Sequence, residues 1–181
     1  MKRIIETLAV VFVPAVLIFA HAESAAAQCA ASLDPRKPPV LSITLHAEHD
    51  QVPTGSPVPM TILQTNKSDH EVCLGRDVHG SDIVVEATNE NGKPATDKRP
   101  HYRNGRFDPA GATISEIHHH VMGNAVWITL KPGETYSYPI DVSQLYDLSK
   151  PGRYAVTVEL SDAESTTRIR SAPTYVNITT K

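Results

Sequence analysis

The sequence predicts an all-β protein built as an antiparallel β-sandwich of about seven strands. Short runs in which every second residue is apolar recur along the chain, a period typical of half-buried strands. Turn-forming Gly, Pro, Asn and Asp residues separate these runs. A helical period occurs only briefly, in Val142–Ser149. The predicted strands are residues 40–47, 57–65, 82–89, 124–130, 135–142, 153–160 and 173–180.

The first residues are expected to form a cleaved export signal. Lys2 and Arg3 precede an apolar run, Leu8–Ala20, that is too short to span a bilayer as a retained helix. Small residues then predict cleavage after Ala22 or, as the favoured site, after Ala27. The protein is therefore expected to be secreted or periplasmic, with no integral membrane span after cleavage.

The rest of the chain is expected to form one domain. After the signal (1–27), residues 28–39 lack any period and contain Pro-Pro, which predicts an extended spacer. Residues 40–181 form the predicted sandwich, interrupted by a long polar excursion over 90–123. The formal net charge of −3 lacks the positive excess that is typical of nucleic-acid-binding proteins. A protein or cell-surface ligand is therefore the expected partner.

The first three predicted strands each place apolar residues on one face. Two prolines in the second run, 57–65, indicate an edge position or the start of a strand. The Asn91-Gly92 dipeptide after the third run is a hairpin signal. The predicted inward side chains are Leu41, Ile43, Leu45, Val58, Met60, Ile62, Ile83, Val85 and Ala87.

The later predicted strands also place apolar residues on one face. Trp127 alternates with Ile128 and its apolar neighbours, which places the indole on the outer face. It is either an exposed binding anchor or, as we favour, covered by the excursion. Lys131–Glu134 reads as a tight turn. The predicted inward side chains of the last two strands are Tyr154, Val156, Val158, Val176 and Ile178.

Tyr154 narrows the fold class to an immunoglobulin or fibronectin-III-like sandwich. It stands two residues before the inward Val156, where such sandwiches carry a tyrosine whose hydroxyl bonds back to the preceding corner. Pro151-Gly152 suits a type II turn, because glycine accepts a positive φ at its third position. We therefore assign Tyr154, Pro151 and Gly152 to a structural corner.

Three stretches carry a family resemblance. LKPGE (Leu130–Glu134), DVSQLYDLSKPGRYAVTVEL (Asp141–Leu160) and the closing APTYVNIT resemble small secreted bacterial immunoglobulin-like domains. The pattern is also similar to the non-catalytic pro-segment of deuterolysin-type metalloendopeptidases. The resemblance covers Val40–Thr179 and is strongest in the last third. It implies a fold and a secreted setting, and it implies no catalytic residues.

Cys29 and Cys73 would both meet an oxidising compartment after export. In an immunoglobulin-like sandwich, the segment before the first strand and the loop after the second lie at the same end. A disulfide closing this loop of roughly 45 residues would contribute about 4 kcal/mol. Two unrelated thiols remain the alternative.

Three adjacent histidines lie within the excursion. In an extended segment His118 and His120 share a face with Glu116, and Met122 is a soft ligand suited to Cu(I). The run lacks any standard zinc spacing, so we expect no cofactor, with a functional copper or zinc site as the alternative.

No catalytic motif is present, and the chain is not expected to be an enzyme. His70-Glu71 does not continue into His-Glu-x-x-His, and no Gly-x-Ser-x-Gly elbow occurs. The expected function is a secreted, non-catalytic binding or accessory module that acts through its loops. A periplasmic copper- or zinc-binding protein and a protease-regulatory module, either an inhibitor or a pro-domain, are the alternatives. The candidate contact residues are Arg76, His79, His101, Tyr102, Arg103 and Trp127.

Overall fold

The computed structural model describes residues 33–77, 83–113 and 125–181. These residues form short strands and one helix of four residues. The strands are β1 Leu41–Ala47, β2 Gln51–Pro53, β3 Pro59–Asn66, β4 Val72–Asp77, β5 Ile83–Asn89, β6 Thr96–Asp97, β7 Tyr102–Arg103, β8 Arg106–Phe107, β9 Ala125–Leu130, β10 Thr135–Asp141, β11 Tyr146–Asp147, β12 Gly152–Ser161, β13 Arg168–Arg170 and β14 Thr174–Thr179; the helix, α1, is Val142–Leu145.

Two sheets enclose the core. In the first, β3 lies between β1 and β10, and both pairings are antiparallel. In the second, β12 is central, with β5 antiparallel on one side and β13 and β14 antiparallel on the other. The short β2 runs parallel beside β14 and completes the second sheet.

The core is formed by the alternating residues that the sequence predicts to face inward. Met60, Ile62 and Val156 have no exposed surface, and the same cluster continues through both sheets. All seven predicted strands are present with ends within two residues of the prediction. The prediction of an all-β, immunoglobulin-like antiparallel sandwich is confirmed.

The predicted tyrosine corner is also confirmed. Tyr154 is buried, and its hydroxyl donates a hydrogen bond to the carbonyl oxygen of Lys150 at 3.0 Å. Burial raises the pKa of this phenol above its usual value. The prediction of a type II turn at Pro151-Gly152 is wrong. Gly152 begins β12 with a φ of 148°, far from the angle of about +80° that such a turn needs. That backbone angle still favours glycine.

Replacing Tyr154 with phenylalanine should lower the free energy of unfolding by about 1 kcal/mol, because the Lys150 carbonyl loses its hydrogen bond. Urea unfolding of the full chain measures this difference. Tyr175→Phe is the control, since that side chain is 45% exposed. Equal midpoints for the two variants would show that the corner hydrogen bond contributes nothing.

Several strands lie outside the prediction. The segment after the second predicted strand contains β4, which forms an antiparallel two-stranded ribbon with β9 instead of a loop. β13 pairs with the far end of β12. Its Arg-Ile-Arg sequence has a single apolar residue, so alternation alone could not identify it.

Asp162 ties the start of β1 to the turn that follows β12. One carboxylate oxygen accepts hydrogen bonds from the backbone N–H groups of Val40 at 2.9 Å and Leu41 at 3.0 Å. The other oxygen accepts from the backbone of Glu164 and from both the backbone and the hydroxyl of Ser165. Asp162 is only 3% exposed, so these groups depend on it instead of on water.

A charged contact closes the same end of the sandwich. One ring nitrogen of His70 lies 2.8 Å from a Glu164 oxygen, and the other lies 3.1 Å from Asp69. Lys37 donates to the second Glu164 oxygen at 3.1 Å. Hydrogen bonds to Asp69 and Glu164 raise the pKa of His70. Burial alone would raise the pKa of Glu164, but bonds from His70 and Lys37 outweigh it and lower that pKa.

The contact between His70 and Glu164 should therefore stabilise the fold most at mildly acidic pH. The raised pKa of His70 stabilises the folded chain below about pH 6.5, and this contribution is lost as the pH rises through the folded-state value. The lowered pKa of Glu164 contributes above about pH 4.3 and is lost as the pH falls. His70→Gln should lower the melting temperature at about pH 5.5 and leave it nearly unchanged at about pH 8.

Thermal unfolding across this pH range provides the measurement. His46→Gln is the control, because His46 is exposed on β1. If wild type and His70→Gln show the same pH dependence, the contact with Glu164 does not stabilise the fold.

Candidate binding surface

The described part of the excursion is folded against the edge of β5. Ala95 donates a backbone hydrogen bond to the Ala87 carbonyl at 2.8 Å, and Asn89 donates to Lys93 at 2.9 Å. β6 then pairs with β11, and β7 with β8 forms a small hairpin. This half of the excursion is therefore an ordered layer on the sheet.

A partly buried ion pair lies within this layer. Arg99 donates through Nε and Nη2 to the two carboxylate oxygens of Asp97, each at 2.9 Å. The Asp97 side chain is 5% exposed and that of Arg99 is 21% exposed. Such a two-point contact fixes the guanidinium plane as well as its charge. Asp97 also accepts a bond from the backbone N–H of Gly105 at 3.3 Å.

Tyr146 anchors the layer from below. It is 1% exposed, and its hydroxyl donates a hydrogen bond to the Val85 carbonyl of β5. Burial, followed by the nearby charge of Asp97, raises the pKa of this phenol strongly. The Arg99 guanidinium lies 5.7 Å from the Tyr146 ring centre and 4.0 Å from that of Tyr102, within cation–π range of both.

Gly105 allows the hairpin to approach β5. A Cβ atom at this position would lie 2.0 Å from the Val85 carbonyl oxygen and 3.1 Å from the Tyr146 hydroxyl. Its φ is +77°, and that of Asn104 is 49°. Two successive positive φ angles are those of a type I′ hairpin turn, which Asn-Gly favours.

The outer side of the hairpin carries aromatic and charged groups. The Tyr102 and Phe107 rings meet edge to face with centres 5.6 Å apart. The Arg103 side chain is 83% exposed, and its Nε lies 3.4 Å from an Asp108 oxygen. His101 is half-buried beside them, with a φ of 58°. We call Tyr102, Arg103, Phe107 and Asp108 the excursion platform.

A polar groove lies beyond β11. Its volume is about 290 Å³, at the lower end for ligand sites. Lys98 crosses it and donates to the Ser143 carbonyl at 2.9 Å. The lining also includes Gly55, Ser56, Gln144, Asp147 and Ser149. Apolar side chains, among them Val58, Leu148 and Ile178, complete the lining, so the groove presents hydroxyls, one amide and one ion of each sign beside an apolar wall.

The structure brings three predicted contact residues together and leaves others apart. His101, Tyr102 and Arg103 share the hairpin. Arg76 lies in β4, on the separate ribbon. The remaining candidates lie outside the described residues: His79, Glu116, His118, His120 and Met122. Within residues 33–77, 83–113 and 125–181, no three His, Cys, Asp or Glu side chains are grouped to hold a metal ion. The copper or zinc alternative remains a prediction.

Trp127 lies in β9 opposite Gly75 of β4. It is 49% exposed; residues 114–123 of the excursion, which were expected to help cover it, lie outside the described residues, so that cover stays a prediction. Cys73 is opposite Thr129 on the same ribbon, and the described part of the chain contains no free cysteine. Cys29 lies outside the described residues, so its pairing with Cys73 stays a prediction.

The residues that hold the platform in place were not among the predicted site residues: Asp97, Arg99 and Gly105. The hairpin does have a sequence signal. The dipeptide Asn-Gly, which is typical of hairpin turns, lies at the centre of Tyr102–Phe107 and is flanked on each side by one arginine and one aromatic residue. No local signal marked the ion pair, since its burial depends on Tyr146, far along the chain. Among the described helices, none has the length and apolar character needed to cross a membrane.

Comparisons with known proteins add likenesses at low identity. No family model matches the chain, and no curated protein matches it. The CARDB domain of the PF1109 protein from Pyrococcus furiosus, solved in complex with di-metal ions, is 11% identical with a TM-score of 0.42; the match covers 79% of this chain and 96% of that one.

Two enzymes contain a similar region. A β-glucosidase from Erythrobacter marinus is 9% identical with a TM-score of 0.37, over 77% of this chain and 15% of the enzyme. The alkylpurine DNA glycosylase AlkC from Pseudomonas fluorescens, bound to DNA containing an abasic site analogue, is 10% identical with a TM-score of 0.37, over 77% and 30%. The similarity to deuterolysin-type pro-segments finds no support here. These likenesses say nothing of what the present chain binds or does.

Proposed function

We propose that this chain is an exported, non-catalytic immunoglobulin-like module that binds a protein or cell-surface partner through the excursion platform. One observation carries the proposal. The platform exposes Arg103, while the partly buried Asp97–Arg99 pair holds the hairpin through the hydrogen bond from the Gly105 N–H to Asp97.

Rigidity and composition both favour recognition at this surface. Tyrosine and arginine are enriched among the residues that dominate binding energy at interfaces. A loop that is already ordered loses less conformational entropy when a partner binds. The platform therefore combines suitable contact groups with a fixed geometry, as loops on a rigid sandwich commonly do.

Export is part of the same proposal. The basic start and short apolar run at Leu8–Ala20 favour a signal peptide. The absence of a free cysteine in the described ranges is consistent with a Cys29–Cys73 disulfide, which an oxidising compartment would maintain.

Affinity capture from the native extracellular or periplasmic fraction tests the function. Wild type should retain a partner, and a Tyr102→Ala, Arg103→Ala double variant should retain at least about tenfold less, as expected for loss of interface anchor residues. Thr44→Ala, exposed on the opposite sheet, is the matched control. Undiminished capture by a correctly folded double variant would overturn the proposed surface.

A further inference from the structure

Four arginines share the outer face of the second sheet. Glu159 of β12 accepts bonds from Arg106 at 2.9 Å and from Arg168. Arg170 donates to Glu86 of β5 and also lies 3.7 Å from Glu159. Farther along the same face, the Arg153 guanidinium lies 3.8 Å above the centre of the Tyr175 ring. We call Arg106, Arg153, Arg168 and Arg170 the guanidinium face.

The positive groups form the outer layer of this face. The side chains of Arg106, Arg168 and Arg170 are 51%, 40% and 48% exposed, whereas that of Glu159 is 14% exposed and that of Glu86 is 25% exposed. The carboxylates thus lie beneath the guanidinium groups and hold them in place.

The four arginines outnumber the two carboxylates, although the whole chain has a net charge of −3. The guanidinium face is therefore a local excess of positive charge with preset geometry. Guanidinium groups that are fixed in this way suit two-point contacts with carboxylates.

The spacing of these groups matches an extended peptide. Arg168 and Arg170 are two residues apart in one strand, a repeat of about 6.6 Å. Side chains on one face of an extended ligand repeat at the same distance. From Arg153 to Glu159 the face is about 20 Å long, which corresponds to roughly six extended residues. The half-exposed Tyr175 ring adds an apolar edge at one end, since the Arg153 guanidinium lies over its face.

From this match of charge and spacing, we propose that the guanidinium face binds an extended acidic peptide segment with Asp or Glu at alternate positions. The inference rests on the proposed binding function and adds the chemical class of the partner. Arg106 lies in the same hairpin as the excursion platform, so one partner could contact both surfaces.

Fluorescence anisotropy with the full chain tests this inference. The probe is a labelled peptide of about ten residues that alternates Glu and Ser, roughly the span of the face plus its ends. Binding should weaken with added salt, because exposed charges are screened. An Arg168→Gln, Arg170→Gln double variant should bind at least about tenfold more weakly. Arg36→Gln is the control, since that arginine is 88% exposed at another part of the surface.

Three outcomes would overturn the inference. The first is no saturable binding of the alternating peptide by folded wild type. The second is equal binding of a peptide with the same composition but its Glu residues in one block, which would remove the spacing argument. The third is tighter binding of a sulfated glycan or an oligonucleotide that is lost in the same double variant.

A variant of the platform separates this inference from the proposed function. In the capture assay of the proposed function, the Tyr102→Ala, Arg103→Ala double variant and the Arg168→Gln, Arg170→Gln double variant are compared side by side. Partner capture that needs Tyr102 and Arg103 but persists in the Arg168→Gln, Arg170→Gln variant would reject the acidic-peptide inference and leave the proposed function intact.

Discussion

Asp162→Ala should lower the free energy of unfolding by about 3–5 kcal/mol. The substitution removes the acceptor for the backbone N–H groups of Val40 and Leu41 and for two donors of Ser165. Because Asp162 is 3% exposed, water cannot easily replace the carboxylate at its original position. A buried donor without a partner costs about 1–3 kcal/mol, and several are created together.

Urea unfolding of the full chain gives the comparison, with the slope checked for a change in the denatured state. Asp50→Asn is the control: its side chain is exposed, and we expect a change within about 0.5 kcal/mol. A loss below about 1 kcal/mol for Asp162→Ala would mean that the start of β1 is held mainly by its pairing with β3.

Gly105→Ala should detach the hairpin of the excursion from β5. The new methyl group would lie 2.0 Å from the Val85 carbonyl oxygen, which is a backbone atom, and φ is +77°. Backbone strain of this kind costs about 1–3 kcal/mol before the overlap is added. Local opening should therefore increase at least about tenfold, because 1.4 kcal/mol corresponds to that factor.

Limited trypsin digestion measures the opening, since Arg103 and Arg106 are exposed in this hairpin. Gly92→Ala is a matched control: its φ is +72°, but no atom lies within 4 Å of the added carbon. Cleavage should be much faster in Gly105→Ala than in Gly92→Ala. Equal rates would show that the close approach to Val85 does not hold the hairpin.

The sandwich could be predicted because burial on one face of a strand leaves a period of two in the sequence. Leu41, Ile43 and Leu45 show this period and are buried. β4 shows it poorly, because Gly75 interrupts the run. β13 has one apolar residue between two arginines. Such short strands are specified by their neighbours more than by their own composition.

The binding surface was only partly predictable. His101, Tyr102 and Arg103 were selected for their chemical character, and they do share one hairpin. The hairpin is held in place by Tyr146 and by the Asp97–Arg99 pair. These contacts form only when distant parts of the chain come together in the fold, so the local sequence could not predict them. The guanidinium face was missed for the same reason: Arg106 and Arg168 are distant in sequence and meet only at Glu159.

The excursion also protects an open sheet edge. The Ala87 carbonyl of β5 is occupied by Ala95, and the Val85 carbonyl by the Tyr146 hydroxyl. An uncovered edge strand is a template for pairing with another chain, and so for aggregation. Exposed positions such as Arg103 can therefore vary to suit a new partner, while the groups that cover β5 are constrained by solubility as well as by recognition.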